Sequence, residues 1–219
     1  MITTLEQFLK ENKEIKENIL NDNFWKWFDG SKVVDDEGNP LIYYHYSEKE
    51  FNSFIKNKGY NSSLAGTEGV QRHGFFFASD KSFSKLYGKH EYNCYLKVKK
   101  PFAFKEHYYY KEVYPQYSEL FDEFIEFVED EGIDLEYDYL SKSLNISPDD
   151  SWQFLDDKIG ELFVSFLKKY GYDGVIFTEY KRIENDRYKT ETVVVFEPNQ
   201  IKSIENDGTW NIDDNNIYS

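Results

Sequence analysis

Apolar residues recur along the chain with two periods. Residues 3–28 carry Leu5, Phe8, Leu9, Ile15, Ile19 and Trp25 at roughly helical spacing. They predict one or two helices ending before "FDGSKVVDDEGNP", where Asp29-Gly30-Ser31 and Glu37-Gly38-Asn39-Pro40 are turn sequences. "KVV" between those turns reads as a short strand, and "LIYYH" after them as a strong one. "SEKEFNSFIKNKG" reads as a short helix or a loop, and "YNSSLAGTEGVQRH" as an exposed loop. "GFFFA" predicts a buried strand. "SDKSFSKLYG" predicts a helix capped by Ser79 or Asp80 and stopped at Gly88. "YNCYLKVKKPF" alternates as a half-exposed strand does.

Residues 106–170 read as mostly helical. Leu120, Phe121, Phe124, Ile125 and Val128 share one face of the first stretch, with carboxylates opposite. Trp152, Leu155, Ile159, Leu162, Phe163, Phe166 and Leu167 share a face of the second, which stops at Gly171. "YDGVIFT" and "ETVVVFEP" predict strands joined by a charged loop, "IKSIEND" a last strand, and "NIDDNNIYS" a frayed tail. Strands separated by helices at irregular intervals predict an α+β fold rather than a doubly wound sheet. The expected organisation is a helical extension over 1–23, one domain over 24–208 and an acidic tail over 209–219.

Composition narrows the function. Aromatic residues make up 19% of the 219 positions, ample for a packed core. The net charge of −15 opposes non-specific binding to a phosphate backbone. One cysteine, Cys94, excludes an internal disulfide. No run of about 20 apolar residues suggests a membrane span, and the N-terminus lacks a signal-peptide pattern. The chain reads as a soluble protein of the cytoplasm, or one delivered into a host cytoplasm. His45, His73, His90 and His107 show no metal-ligand spacing, and no G-x-G-x-x-G or Walker loop is present. Taken singly, His45, Tyr87 and "GFFFA" read as core residues.

Their joint pattern points elsewhere. In chain order come "YHYS", "GFFFASDKSFSKLY", "YLKVKKPF", "GYDGVIF" and "TETVVVFEPNQIKS". This series resembles the ADP-ribosyltransferase fold, in the histidine-tyrosine-glutamate branch shared by diphtheria toxin and the poly(ADP-ribose) polymerases. More closely it resembles bacterial and phage-borne domains of polyvalent proteins, over roughly residues 24–206. The resemblance implies a split β-sandwich of two small sheets with flanking helices. It implies NAD+ as substrate and no metal. It assigns His45 to the adenosine-side ribose, the backbone of Tyr46 (in place of the usual glycine) to the nicotinamide amide, and Ser47 to the Ser/Thr position that follows. Ser84 would bond the carboxamide, Tyr87 and Phe76 would stack on the ring, and Arg72 would meet a phosphate or ribose. The family's glutamate opens the last core strand. Counting back from Phe196 in strict register lands on Thr192, with Glu191 one residue earlier. A bulge would bring Glu191 into the site, and Glu191 is taken as the catalytic carboxylate with His45.

The implied activity is mono-ADP-ribosyl transfer to a macromolecular acceptor, protein rather than nucleic acid, in a phage or toxin-like effector. Hydrolysis of NAD+ by water is a variant. A non-catalytic NAD+-binding or protein-interaction module is the alternative, and an acidic structural domain mimicking nucleic acid is a third reading. Residues 57–73 and 179–190 are the expected acceptor loops. The stretch "TEYKRIENDRYKT" is rich in Lys and Arg, as either a contact surface or a solvated loop.

Overall fold

Seven strands account for the extended runs: β1 (Tyr43–Ser47), β2 (Phe75–Ala78), β3 (His90–Leu96), β4 (Pro101–Ala103), β5 (Gly174–Ile183), β6 (Asp186–Val195) and β7 (Ile201–Ser203). In a computed structural model that describes residues 20–56, 71–104, 123–132, 154–183 and 186–219, they form one sheet in the order β4-β5-β6-β2-β1-β3-β7. All pairings are antiparallel except β4 with β5. The two expected sheets are its halves. Between β1 and β2 the ladder is a single pair, Tyr44 with Ala78, whereas β2 and β6 share four pairs and β1 and β3 five.

Both faces of the sheet are covered, which is why "VVVF" is a continuous apolar run rather than an alternating one. Val194 faces a cluster that includes Phe102, Phe124, Phe163, Phe166 and Phe177. Val193 and Val195 face the opposite cluster, with Tyr43, Phe54, Phe77, Tyr92 and Cys94. The first cluster is roofed by α3 (Asp157–Lys169), whose buried residues are Ile159, Gly160, Leu162, Phe163, Phe166 and Leu167. Residues 123–130 are helical and add Phe124, Phe127 and Val128. A third cluster joins Phe24, Trp27 and Phe28 of α1 (Asp22–Phe28) to Tyr95 and Trp210. Asn21 caps α1, its side-chain oxygen accepting from the Asn23 and Phe24 amides at 3.0 Å.

The remaining elements differ from expectation in specific ways. The second long helix begins at Asp157, after a 3-10 turn at Phe154–Leu155, and the SPDD capping residues 147–150 lie outside the described residues, as do 1–19. Within the expected charged loop over 179–190, residues 179–183 and 186–190 are strand: β5 and β6 pair from Gly174–Val195 out to Ile183–Asp186. Among the described residues that hairpin runs past its flanking strands, because β4 pairs with residues 174–176 and β2 with residues 192–195. The last residues pack rather than fray, with Trp210 and Ile217 buried. Gly74, which opens β2, has φ +100°. A Cβ there would stand 2.4 Å from a Val194 methyl, so glycine is needed for the close approach to β6.

Candidate functional site

Where the β1–β2 ladder stops, a cavity of about 810 Å³ opens between the two halves of the sheet, within the range of roughly 300–1,000 Å³ usual for ligand sites. The strands part here, and side chains of both faces line it, His45 and Phe77 from one and Tyr46, Phe76, Glu179 and Thr192 from the other. Residues opposite one another in a ladder share a face. Tyr44, Ala78, Thr192 and Phe177 form one row, and Tyr46, Phe76, Val194 and Glu179 lie on that same face by the period of two. Tyr43, His45, Phe77 and Glu191 belong to the other face.

His45, at the centre of β1, packs against the rings of Phe51, Phe54, Phe77 and Tyr92. Its Nδ1 lies 2.9 Å from the carbonyl oxygen of Phe76, spanning the gap between the parted strands. Burial holds its pKa below the ordinary value, against the opposing pull of that carbonyl. His45 lines the cavity, as does Ser47, whose Oγ accepts from the Lys49 amide at 3.2 Å.

Tyr46 also lines the cavity, but its hydroxyl is engaged elsewhere. It donates to Glu91 on β3, and Glu91 pairs with Lys81 at 2.6 Å. Lys81 opens α2 (Lys81–Ser84). Lys81 first and Tyr46 second hold the Glu91 carboxyl down to about 2, while burial and Glu91 push the Tyr46 phenol up to about 12.

Asp80 caps α2 through the Phe83 amide at 2.7 Å. The short helix runs into a 3-10 turn, Lys85–Tyr87. These two turns place Ser84 and Tyr87 on the cavity wall. Ser84 Oγ donates to the Tyr44 carbonyl at 2.9 Å. Tyr87 donates to Oε1 of Glu179 at 3.2 Å, and burial together with that carboxylate drives its pKa well up. The ring of Phe76 completes the aromatic lining. The Arg72 guanidinium stands 4.7 Å from the Phe76 ring centroid and 3.3 Å from Asp156. Asp156 is pushed up to about 6, by burial against the pull of Arg72. One face of Phe76 is therefore taken by Arg72. Lys56 and Lys168 stand at the same cavity, both paired with Glu197.

Thus His45, Tyr46, Ser47, Arg72, Phe76, Ser84 and Tyr87 all converge on one cavity. Glu191 does not. No bulge interrupts β6, so Thr192 takes the register position facing the cavity. Glu191 faces the other way and accepts from the buried Tyr43 hydroxyl. Of the carboxylates among the cavity's lining residues, Glu48, Glu50 and Glu161 are exposed, and Glu179 of β5 is buried, only 7% exposed. Its Oε2 accepts from Thr192 Oγ1 at 3.0 Å and its Oε1 from Tyr87. Sequence reasoning missed Glu179 because the Lys/Arg-rich stretch read as a loop. The signal was the alternation Phe177, Glu179, which runs one residue beyond "YDGVIFT". No group of three or more His, Cys, Asp and Glu among the described residues is arranged to hold a metal ion, and no described helix is long and apolar enough to cross a membrane.

The family described as "ADP-Ribosyltransferase in polyvalent proteins" matches residues 35–211. No curated protein matches the chain. Among solved structures, the crystal structure of an anti-CRISPR protein aligns over 74% of this chain and 91% of its own, at 14% identity and a TM-score of 0.39.

Proposed function

The chain belongs to the family of ADP-ribosyltransferases in polyvalent proteins, and from that membership we propose that it cleaves the nicotinamide–ribose bond of NAD+ and transfers ADP-ribose to a macromolecular acceptor. The observation that carries this reading is the convergence of His45, Phe76, Ser84 and Tyr87 on one cavity. The fit to the substrate is chemical. NAD+ presents an aromatic cation, two riboses and a diphosphate. The cavity offers the rings of Phe76 and Tyr87, hydroxyl and imidazole groups, and Arg72, Lys56 and Lys168 within a chain of net charge −15.

Each residue then has a task. A carbonyl oxygen only accepts, so the His45 Nδ1 facing Phe76 carries the hydrogen and Nε2 keeps its lone pair. Nε2 is thus an acceptor for a ribose hydroxyl. Tyr87 and Phe76 hold the nicotinamide ring, and Ser84 with the backbone of Tyr46 holds its carboxamide. The glycosidic C–N bond breaks heterolytically. Its electron pair stays on nitrogen and neutralises the pyridinium, leaving positive charge on the ribosyl carbon and ring oxygen. A lone pair of the acceptor forms the new bond at that carbon, and the acceptor's proton goes to water. Nicotinamide needs no general acid, so orientation and electrostatic stabilisation carry the rate. The β5–β6 hairpin, which extends beyond its neighbours from the cavity wall, is the acceptor-side surface in this reading.

A second reading, binding of NAD+ without turnover, is favoured by the placement of Glu191 away from the cavity. One experiment tests both: titration with NAD+ by calorimetry, then nicotinamide release with and without cell lysate. Binding with release that depends on lysate is the expected result. Release without lysate indicates water as acceptor, binding without release favours the second reading, and absence of binding overturns both. Tyr87→Ala is expected to weaken NAD+ binding roughly 10-fold, the worth of one lost aromatic stack.

A further inference from the structure

We infer that Glu179 of β5 is the catalytic carboxylate of this chain, and that Thr192 is a positioning residue that aims it. The inference rests on the reading that the cavity takes NAD+. It departs from the strand position at which the sequence pattern seeks a glutamate.

Three observations support it. First, Glu179 is a buried carboxylate on the cavity wall, with both oxygens engaged, by Thr192 and by Tyr87. Tyr87 is the residue expected against the nicotinamide ring. The carboxylate is therefore tied to the group that would hold the scissile bond.

Second, Thr192 stands at the register position of the missing acid. Phe177 pairs with Thr192 and Glu179 with Thr190, so Glu179 is the diagonal same-face neighbour of Thr192 across the β5–β6 ladder. The threonine hydroxyl donates to the glutamate from the adjacent strand. The charge is delivered to the same face of the sheet from one strand over.

Third, Glu191 cannot be exchanged for it by a small motion. A slip of β6 by one residue would reverse every side chain on the strand. It would move Val193, Val194 and Val195, all fully buried, to the wrong faces. It would also break the hydrogen bond from Tyr43 to Glu191.

The chemistry asked of Glu179 is electrostatic. As the ribosyl C–N bond breaks and the electron pair leaves with nicotinamide, the carboxylate stabilises the cation that remains. This is the charge problem that glycoside hydrolysis also solves with a carboxylate. No further reactant is involved beyond NAD+ and the acceptor.

The test compares wild type with Glu179→Gln, Glu191→Gln, Thr192→Val and Thr192→Ser. NAD+ affinity and nicotinamide release are measured on each. Glu179→Gln is expected to lower kcat by about 100-fold or more while NAD+ affinity changes by no more than about 3-fold. Glu191→Gln, altered on the far face, is expected to keep kcat within about 3-fold. Thr192→Val is expected to lower kcat about 10-fold at nearly constant KM, and Thr192→Ser, which keeps the hydroxyl, to restore it. Retained NAD+ binding in Glu179→Gln separates lost chemistry from lost fold. Loss of turnover in Glu191→Gln with turnover preserved in Glu179→Gln overturns the assignment. So does a wild type that binds NAD+ but releases no nicotinamide with lysate present. A wild type that does not bind NAD+ overturns the parent reading itself.

Discussion

The protonation of His45 sets what it can do. With Nδ1–H committed to the Phe76 carbonyl, the ring offers a ribose one acceptor, and only while it is neutral. The four surrounding rings keep it so, and its pKa lies below the ordinary 6.5. The unfolded chain, with an ordinary histidine, therefore takes up a proton first as pH falls. Stability rises with pH wherever the unfolded state binds more protons. This contribution is fully present above the unfolded value and is lost as pH drops through about 6.5 toward the folded value. Urea unfolding of wild type and His45→Phe at pH 7 and pH 5 checks it: wild type should lose more stability between the two. An imidazole proton signal of His45 titrating above 6.5 would contradict the assignment. Tyr46 is a different case. Its hydroxyl is held by Glu91, which Lys81 also pairs, so the ring is anchored toward β3 and α2.

At the scale of elements, the spacing that joins "GFFFA" to Ser84 and Tyr87 was legible because it is local. One strand, one capped turn of helix and one 3-10 turn fix it, and each has its own sequence signal. The direction of Glu191 was not legible. Facing along a strand is settled by its partner, here Ala78 opposite Thr192, and no residue of β6 announces that partner. Glu179 was hidden for a related reason. Its strand continues into a Lys/Arg-rich stretch whose extended form comes from its pairs with β6, Glu179 with Thr190 out to Ile183 with Asp186, rather than from β-propensity. Gly88 shows how tightly the local elements meet. It follows the turn bearing Tyr87, and a Cβ there would stand 2.2 Å from the backbone carbon of Ser47, at the end of the strand bearing His45. Backbone cannot yield as a flexible side chain does. Gly88→Ala is expected to cost about 1–3 kcal/mol by overpacking and to weaken NAD+ binding by pushing Tyr87 away from β1. A denaturant titration and an NAD+ titration on one preparation check it, and unchanged NAD+ affinity would show that the two walls move independently.

Across the whole molecule, the C-terminal residues connect the far edge of the sheet to the cavity. β7 is an edge strand, and its central Lys202 is wholly buried. The ammonium donates to the carbonyls of Asp214, Asn216 and Ser219 at 3.0, 2.9 and 2.6 Å. This clamp gathers the last residues over β7, where Ser203 donates to the Ile217 carbonyl and covers an edge that would otherwise be open to pairing. The same segment reaches back to the site: the Ile217 amide donates to the Asn52 carbonyl, and Asn216 bridges Ser53. Residues 52 and 53 sit between Phe51 and Phe54, the rings packed on His45. Lys202 does not line the cavity, yet it braces one wall of it. Lys202→Ala removes the ammonium from the Asp214 and Ser219 carbonyls, while the Asn216 carbonyl keeps its contacts from Ser219. At about 1–3 kcal/mol for each buried group left unsatisfied, it is expected to cost at least about 2 kcal/mol. It is also expected to speed amide hydrogen exchange over residues 51–54 and to reduce NAD+ affinity while the protein remains folded. Lower stability with unchanged exchange at 51–54 and unchanged NAD+ affinity would show that the clamp serves the sheet edge alone.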